Sequence, residues 1–336
     1  MTNILMAYAL FAAKTVTLVI AVGVLMAWFA GLLGRTRAPE GDRLRIRRLN
    51  RRFFALTRAM QREIMPQAAF KPWYKAQQAT EKARLKDTET PRKRMYVLEF
   101  KGDVRASAVQ ALREEITAIL TVATSADEVV VKLESPGGMV HAYGLAASQL
   151  ARLGERQIPL TIIVDKVAAS GGYMMACVGD TIIAAPFAVI GSIGVVAQLP
   201  NFHKLLKKHD IDYEQLTAGE FKRTLTVFGE NTDKARDKFQ QELDDTHELF
   251  KEFVTLHRPS LQIDKVATGE FWYGQRAIEL GLIDQLSTSD DYLMRASQSY
   301  DMFEIHFIAK KEFGKRLQGL IQSAIDQISQ ANLWRG

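Results

Sequence analysis

Two residues 52 positions apart, Ser170 and Lys222, have the types and surroundings that nucleophilic catalysis requires. Ser170 lies between Ala169 and a double glycine, so no large side chain crowds its hydroxyl and nearby backbone N–H groups can face an oxyanion. Lys222, in the sequence GEFKRT, can act as the base for this serine if burial removes its charge. The pair predicts a Ser–Lys hydrolase.

A second glycine pair, Gly137 and Gly138, follows a predicted strand and precedes a predicted helix. Glycines at such a turn let the backbone approach a substrate carbonyl. Gly171 opens a predicted helix directly after the serine, where the first N–H groups have no partner within the helix. Together the glycines predict an oxyanion hole with one N–H from each loop. The alternative for the first pair is a turn with a purely structural role.

Other residues compete for the same roles. Ser135 precedes a proline and Ser192 lies in a Gly-Ser-Ile-Gly run, so each fits a turn as well as a nucleophile. Among the six histidines, His141 lies nearest to the glycine turn and leaves a Ser–His arrangement open. Lys166 competes with Lys222, whose ordinary alternative is an exposed surface lysine. The sequence has no metal-ligand set and no GxxxxGK pattern, so no metal or cofactor is expected.

The elements that must position these residues alternate between strand and helix. Strands are predicted at residues 95–100, 128–134, 159–165, 181–185, 194–197 and 213–217, and helices at 106–121, 140–153, 171–178 and 232–256. This alternation at short spacing indicates an α/β fold with largely parallel strands. The single cysteine, Cys177, excludes an intrachain disulfide and is expected to have a packing role.

Residues 15–34 form an uncharged run of 20 residues. Such a run is long enough to cross the roughly 30 Å hydrocarbon core of a membrane as a helix. It predicts an anchor that binds the lipid bilayer. A cleaved signal peptide fits less well because the run is long and lacks a charged region ahead of it. A buried soluble helix fits less well because no polar face is present.

The formal net charge of +6 is unevenly distributed. Residues 35–94 hold 18 Lys and Arg against 6 Asp and Glu, whereas residues 95–336 carry a net charge of −7. Because the basic residues do not belong to the folded body, no nucleic-acid partner is expected. A long polar helix is predicted over residues 43–86, broken near Pro66 and Pro72, lying on the anionic leaflet or leading to the body. The positive-inside rule places the body at the cytoplasmic face of a bacterial inner (plasma) membrane, with the periplasmic side as the alternative.

Several motifs resemble those of the signal peptide peptidase A/protease IV family of serine peptidases. They are Leu133–His141, Val164–Cys177, Gly191–Val195, His209–Asn231 and the GLID run at Gly281–Asp284. The resemblance covers nearly the whole chain. It implies that Ser170 is the nucleophile and Lys222 the general base, in a Clp-protease/crotonase-like fold of repeated ββα units behind one transmembrane helix and a basic linker. It further implies ATP-independent cleavage of hydrophobic peptides, such as signal-peptide remnants or membrane-protein fragments. The enzyme is expected to be a homo-oligomer in which neighbouring subunits can share a site.

The predicted organisation has four parts: an anchor at 1–34, a basic juxtamembrane segment at 35–94, a Ser–Lys peptidase domain at 95–300 and a C-terminal extension at 301–336. The extension is predicted to contain an amphipathic helix at 313–333. Two other functions stay open. One is a catalytically silent membrane scaffold that retains the fold. The other is a crotonase-like acyl-CoA enzyme that uses the same paired N–H groups.

Overall fold

The computed structural model describes residues 6, 10–23, 25, 43–84 and 92–308. Residues 10–23 form a helix, α1, whose side chains are exposed. Within these described ranges, no helix is both long enough and apolar enough to cross a membrane. The span predicted at 15–34 extends beyond them, and the helix predicted at 313–333 lies wholly outside them.

The chain divides into two compact units, one made of residues 1–43 and 308–336 and the other of Leu44–Phe307. Ten helices follow α1 among the described residues: α2 (Leu49–Ile64), α3 (Gln67–Arg84), α4 (Val109–Leu120), α5 (Val140–Gly154), α6 (Gly171–Ala176), α7 (His203–Lys208), α8 (Asp233–His257), α9 (Ile263–Val266), α10 (Gly274–Ala277) and α11 (Ser289–Ala296). The strands are β1 (Arg43–Arg48), β2 (Arg94–Lys101), β3 (Glu128–Glu134), β4 (Leu160–Val164), β5 (Val167–Ala169), β6 (Thr181–Ala184), β7 (Val189–Gly191), β8 (Phe271–Tyr273), β9 (Gln285–Leu286) and β10 (Asp301–Ile308).

The strands form two sheets. The larger has the order β1-β10-β2-β3-β4-β6-β9, and every pairing from β10 to β9 is parallel. The smaller has the order β5-β7-β8, with β5 parallel and β8 antiparallel to β7. The predicted α/β class with largely parallel strands is therefore confirmed, whereas the finer assignment to repeated ββα units stays a prediction.

Side chains of the large sheet alternate between two hydrophobic cores, as the pleat of a strand requires. On β2, Tyr96, Leu98 and Phe100 belong to the larger core, which also receives α4, α5, α6 and part of α8. Met95 and Val97 point into a smaller core that includes residues of α2 and α11. The strands are apolar because both of their faces are covered.

Two predicted strands are wrong. The strand expected at residues 194–197 lies instead at Val189–Gly191, and residues 213–217 form no strand. At the end of β7, Gly191 and Ser192 have φ angles of 100° and 53°. Strand β7 ends here because a β-strand requires negative φ angles.

The boundaries predicted at residues 95 and 300 both fall inside the unit Leu44–Phe307. The Asn50 side chain donates to the carbonyls of Ser297 and Tyr300 and accepts from the Met302 N–H at 2.8 Å. Residues 44–64 and 301–307 are therefore parts of the unit Leu44–Phe307. Of the predicted helix breaks, the one near Pro66 is confirmed.

The break predicted near Pro72 is wrong, because Pro72 lies inside α3. A proline removes one backbone hydrogen bond from a helix. Ring contacts of Phe70 with Trp73 and of Phe54 on α2 with Tyr74 accompany the uninterrupted helix. Helix α3 therefore continues through the proline despite this local cost.

Candidate active site

Ser170 lies at an elbow between β5 and α6. Its backbone has φ 52° and ψ −121°, a combination that residues other than glycine rarely adopt. The elbow is fixed because the Ser170 N–H donates to the carbonyl of Gly191 at 2.8 Å and the Ser170 carbonyl accepts from Met174 at 3.0 Å. Residues of α6 are buried, whereas Ser170 is only half-buried. The fold therefore holds this serine, with a strained backbone, directly before the first residue of α6.

The loop after β3 lies beside this elbow because it pairs with β5. The Ser135 N–H donates to Val167 at 2.8 Å, and the Ser135 carbonyl accepts from Ala169 at 3.0 Å. A Cβ atom built on Gly137 would lie 2.8 Å from the Cβ of Ser170 and from the Gly171 nitrogen. Any side chain at position 137 would displace Ser170 or the backbone beside it, and this close approach explains why a glycine is present there.

A buried hydrogen-bond network supports the glycine loop. Tyr143 on α5 donates its hydroxyl hydrogen to the Asp103 carbonyl at 2.7 Å, so at 2.6 Å its oxygen accepts the hydrogen of the Ser135 hydroxyl. The Ser135 oxygen in turn accepts the Gly137 N–H at 3.1 Å. Tyr143 and Ser135 are both fully buried, and burial raises the pKa of the tyrosine hydroxyl. Ser135 therefore has a structural role that occupies its hydroxyl.

This network distinguishes the two glycines of the predicted oxyanion hole. The N–H of Gly137 is engaged by Ser135, whereas that of Gly138 makes no hydrogen bond within the described part of the chain. Gly171 is the first residue of α6, so its N–H has no partner in the helix. Of the three predicted donors, Gly138 and Gly171 thus have N–H groups without a hydrogen-bond partner in the described ranges, whereas the Gly137 N–H has one.

A small cavity of about 20 Å³ opens beside the serine. Its walls come from the glycine loop, α6, the segment after β7 and the middle of α8: Gly138, Val140, Ser170, Gly171, Met174, Gly194, Val195, Thr246 and Phe250. The lining side chains are mainly apolar. The segment after β7 is held because the Ile193 carbonyl accepts the Gly269 N–H at 3.1 Å and contacts the His247 ring nitrogen at 3.3 Å. The arrangement places a mainly apolar wall next to the Ser170 hydroxyl.

Lys222 lies elsewhere on the chain. It is exposed on a loop between α7 and α8, where its N–H donates to Gly219 at 3.2 Å. It lines a separate open cavity of about 750 Å³ together with residues of its own loop. Within the described residues, the structure thus brings Ser170 together with all three glycines but leaves Lys222 outside the cavity of its own chain.

The neighbours of Lys222 fix its loop to the start of α8. Glu220 forms an ion pair with Lys234 at 2.6 Å, and the Phe221 ring faces the ammonium groups of Lys234 and Lys238 at 5.8 and 5.5 Å. Lys238 precedes Thr246, which lines the serine cavity, by eight residues, or about 12 Å along the helix axis at 1.5 Å per residue. Helix α8 therefore contacts the lysine loop near its start and the serine cavity near its middle, and the helix length between these points keeps the two apart.

The competing candidates are explained by their surroundings. His141 is exposed on α5, and Lys166 is exposed and paired with Glu134 at 3.0 Å. Ser192 lies at a turn, where its hydroxyl donates to Gly269 at 3.4 Å. Cys177 is fully buried, and burial raises the pKa of its thiol, in keeping with packing. No group of three or more residues suited to hold a metal occurs in the described ranges.

Sequence reasoning missed Tyr143, Thr246 and His247. The signal for Tyr143 was present, because it belongs to the apolar stripe of α5 with Ala146, Ala147 and Leu150. A tyrosine on a buried stripe needs a partner for its hydroxyl. Thr246 and His247 gave no comparable signal, because they lie on a polar helix far along the chain from the serine.

The model for Peptidase family S49 N-terminal matches residues 3–150, and that for Peptidase family S49 matches residues 152–302. Probable protease SohB of Haemophilus influenzae is 60% identical over 238 residues, which are 70% of this chain and 67% of that protein. Probable protease SohB of Buchnera aphidicola subsp. Schizaphis graminum is 44% identical over 332 residues, covering 97% and 96%. Protease 4 of Haemophilus influenzae is 28% identical over 176 residues, covering 52% of this chain and 28% of that protein. The chain belongs to peptidase family S49.

Proposed function

We propose that this protein is a serine endopeptidase in which Ser170 is the nucleophile and Lys222 the general base. The observation that supports this most strongly is the strained Ser170 elbow, which opens into an apolar cavity beside the Gly138 and Gly171 N–H groups. Backbone strain of this kind is found at functional sites. Two N–H groups beside a nucleophile suit the negative charge that develops during acyl transfer.

The proposed reaction needs no cofactor. As the Ser170 oxygen bonds to the peptide carbonyl carbon, the neutral amine of Lys222 takes its proton, and the Gly138 and Gly171 N–H groups stabilise the oxyanion. The C–N bond then breaks, and the lysine ammonium gives its proton to the leaving amine. Water, deprotonated by the same lysine, then adds to the acyl carbon, the bond from that carbon to the Ser170 oxygen breaks, and the lysine ammonium returns the proton to Ser170.

The base is proposed to come from a neighbouring subunit of a homo-oligomer. Three observations support this proposal. Lys222 is exposed, it does not line the serine cavity of its own chain, and its loop is attached to the start of α8, away from that cavity. A lysine acts as a base only in its neutral form. Burial of the amine against a partner would remove it from water and favour that form, as the chemistry requires.

The substrate is proposed to be a hydrophobic peptide, such as a signal-peptide remnant or a membrane-protein fragment. Support comes from the apolar side chains of Val140, Met174, Val195 and Phe250 around the serine. The uncharged run at 15–34 supports a single-pass anchor in the bacterial inner membrane. The arginines that follow it favour a cytoplasmic body, with the periplasmic side as the alternative.

A fluorophosphonate probe tests the dyad on detergent-solubilised protein. We expect labelling of the wild type and of Lys204→Ala, an exposed-lysine control, but none of Ser170→Ala or Lys222→Ala. Labelling of Lys222→Ala at the wild-type rate would refute the base. Absence of labelling in a folded wild-type oligomer would favour the silent scaffold. Binding of coenzyme A by that oligomer would favour the acyl-CoA enzyme.

Mixing the two inactive variants tests the sharing of sites. Co-refolded or co-expressed Ser170→Ala and Lys222→Ala chains should regain labelling at about one quarter of the wild-type sites, because in a randomly mixed ring that fraction pairs an intact serine with an intact neighbouring lysine. If each chain supplies both residues of its own site, the mixture stays unlabelled.

A further inference from the structure

Helix α2 has an apolar stripe that begins in the body and continues beyond it. Leu49 is buried in the smaller core and Phe53 packs against that core. At the same helical spacing the stripe continues with Leu56, Met60 and Ile64, which are 56%, 62% and 67% exposed. An amphipathic helix whose apolar face is only half covered presents a surface suited to a partner.

Helix α3 packs on a different face of α2. The ring of Phe54 stacks on Tyr74 with centroids 6.2 Å apart, and the Arg58 guanidinium lies 5.2 Å from the same tyrosine ring and donates to its hydroxyl at 3.2 Å. On the helix, Phe54 and Arg58 lie about 100° or more from Met60, at 100° per residue. Within the described part of the chain, Leu56, Met60 and Ile64 thus stay largely exposed.

The charge of this helical hairpin, residues 49–84, favours an anionic partner. It has eight Lys and Arg against two Asp and Glu. The exposed basic residues on α2 are Arg51, Arg52, Arg58 and Arg62. A second copy of the same hairpin would meet like charge, whereas an anionic lipid surface is complementary. An apolar stripe with arginines on the remaining faces is the pattern of helices that lie in a membrane interface.

We propose that Leu56, Met60 and Ile64 insert into the headgroup region of an anionic bilayer. On the helix Arg52 lies about 80° from this stripe, at the level of the phosphate groups, and the other arginines of α2 lie on the face away from the bilayer, where their charge attracts it at longer range. This surface goes beyond the proposed peptidase function and does not depend on it. Helix α2 begins 15 residues after the uncharged run at 15–34 ends. The contact would hold the unit Leu44–Phe307 against the lipid surface through α2.

The test uses the full chain in vesicles with a fluorescent bimane attached at Met60→Cys. The native Cys177 is fully buried, so labelling is selective. The matched control is Gln241→Cys, an exposed position on α8. In vesicles with about 30% phosphatidylglycerol, we expect doxyl-labelled lipid to quench the label at 60 at least threefold more than the label at 241. The difference should diminish in pure phosphatidylcholine and at about 0.5 M salt, because charge attracts the helix.

Other outcomes overturn the proposal. Equal lipid quenching at the two positions, or a chain that does not float with anionic vesicles, excludes lipid docking. Excimer emission from a pyrene at Met60→Cys without lipid quenching would show that a second copy covers the stripe. Replacing Arg51, Arg52 and Arg62 by Gln should reduce the quenching at 60. Fluorophosphonate labelling in detergent needs no bilayer, so the peptidase proposal and this one can fail separately.

Discussion

Replacing Ser170 by glycine should make the protein more stable than replacing it by alanine. Both substitutions remove the hydroxyl, but alanine keeps a Cβ atom in backbone with φ 52° and ψ −121°, whereas glycine adopts this region freely. Strain of this kind costs about 1–3 kcal/mol, and the extra chain entropy of an unfolded glycine costs about 0.5–1 kcal/mol. The net difference is about 1 kcal/mol, or roughly fivefold in the unfolding equilibrium constant, in favour of glycine.

Urea unfolding of both variants in detergent, followed by tryptophan fluorescence, measures this difference. The control is Ala169→Gly, one residue earlier in β5, where the backbone is an ordinary strand. There glycine should destabilise by about 0.5–1 kcal/mol. Opposite signs at adjacent positions would identify strain at Ser170. If Ser170→Gly is less stable than Ser170→Ala, the elbow stores no strain and our reasoning about it is wrong.

Three further substitutions test the supports of the site and of the body. Tyr143→Phe should cost about 2 kcal/mol in urea unfolding, because the hydrogen of the fully buried Ser135 hydroxyl loses its acceptor and the Asp103 carbonyl loses its donor. Tyr74→Phe, in an exposed pair of hydrogen bonds, should cost under about 0.5 kcal/mol. Gly144→Ala should stabilise by about 0.5–1 kcal/mol, since a Cβ there meets nothing within 4 Å in the interior of α5. Glu115→Gln should stabilise the protein at pH 7. Burial raises the pKa of Glu115, although its carboxylate accepts the Phe307 N–H at 2.8 Å. The amide oxygen of glutamine can accept the same hydrogen bond without a buried charge.

The pH dependence of Glu115→Gln has a definite sign. Because the folded-state pKa of Glu115 lies above its ordinary value, its ionisation costs stability above the folded pKa and costs nothing below the unfolded one. The advantage of the variant should therefore diminish as the pH falls through this window. An advantage that grows with acidification would contradict the assignment. Equal costs of Tyr143→Phe and Tyr74→Phe, or a destabilised Gly144→Ala, would contradict the other two.

Elements with strong local patterns were predictable from the sequence. Strand β3 occurs at Glu128–Glu134 as predicted, because an uninterrupted EVVVKLE run is typical of a strand buried on both faces. Helix α8 begins one residue from its predicted start, where the Thr232 side chain caps the N–H of Ala235. In both cases the physical cause of the element lies within a few residues of it.

Features set by contacts distant in sequence were not predictable. The joining of residues 44–64 to the body depends on Asn50, which bonds to a turn some 250 residues later. The occupied N–H of Gly137 depends on where Ser135 and Tyr143 meet. The early end of β7 depends on positive φ at Ser192, a conformation that serine rarely adopts and no pattern reveals.

The two halves of the candidate site are held in physically different ways. Ser170 and the glycine loop rest on fully buried groups, among them Tyr143 and Ser135, whose hydrogen bonds water cannot replace. The lysine loop rests on exposed contacts, such as the Glu220–Lys234 ion pair, each of which contributes under about 1 kcal/mol. Contacts that weak cannot desolvate a lysine or fix it against a nucleophile. If Lys222 is the base, burial against a neighbouring subunit must supply both effects, so activity should require assembly while the serine half stays folded without it.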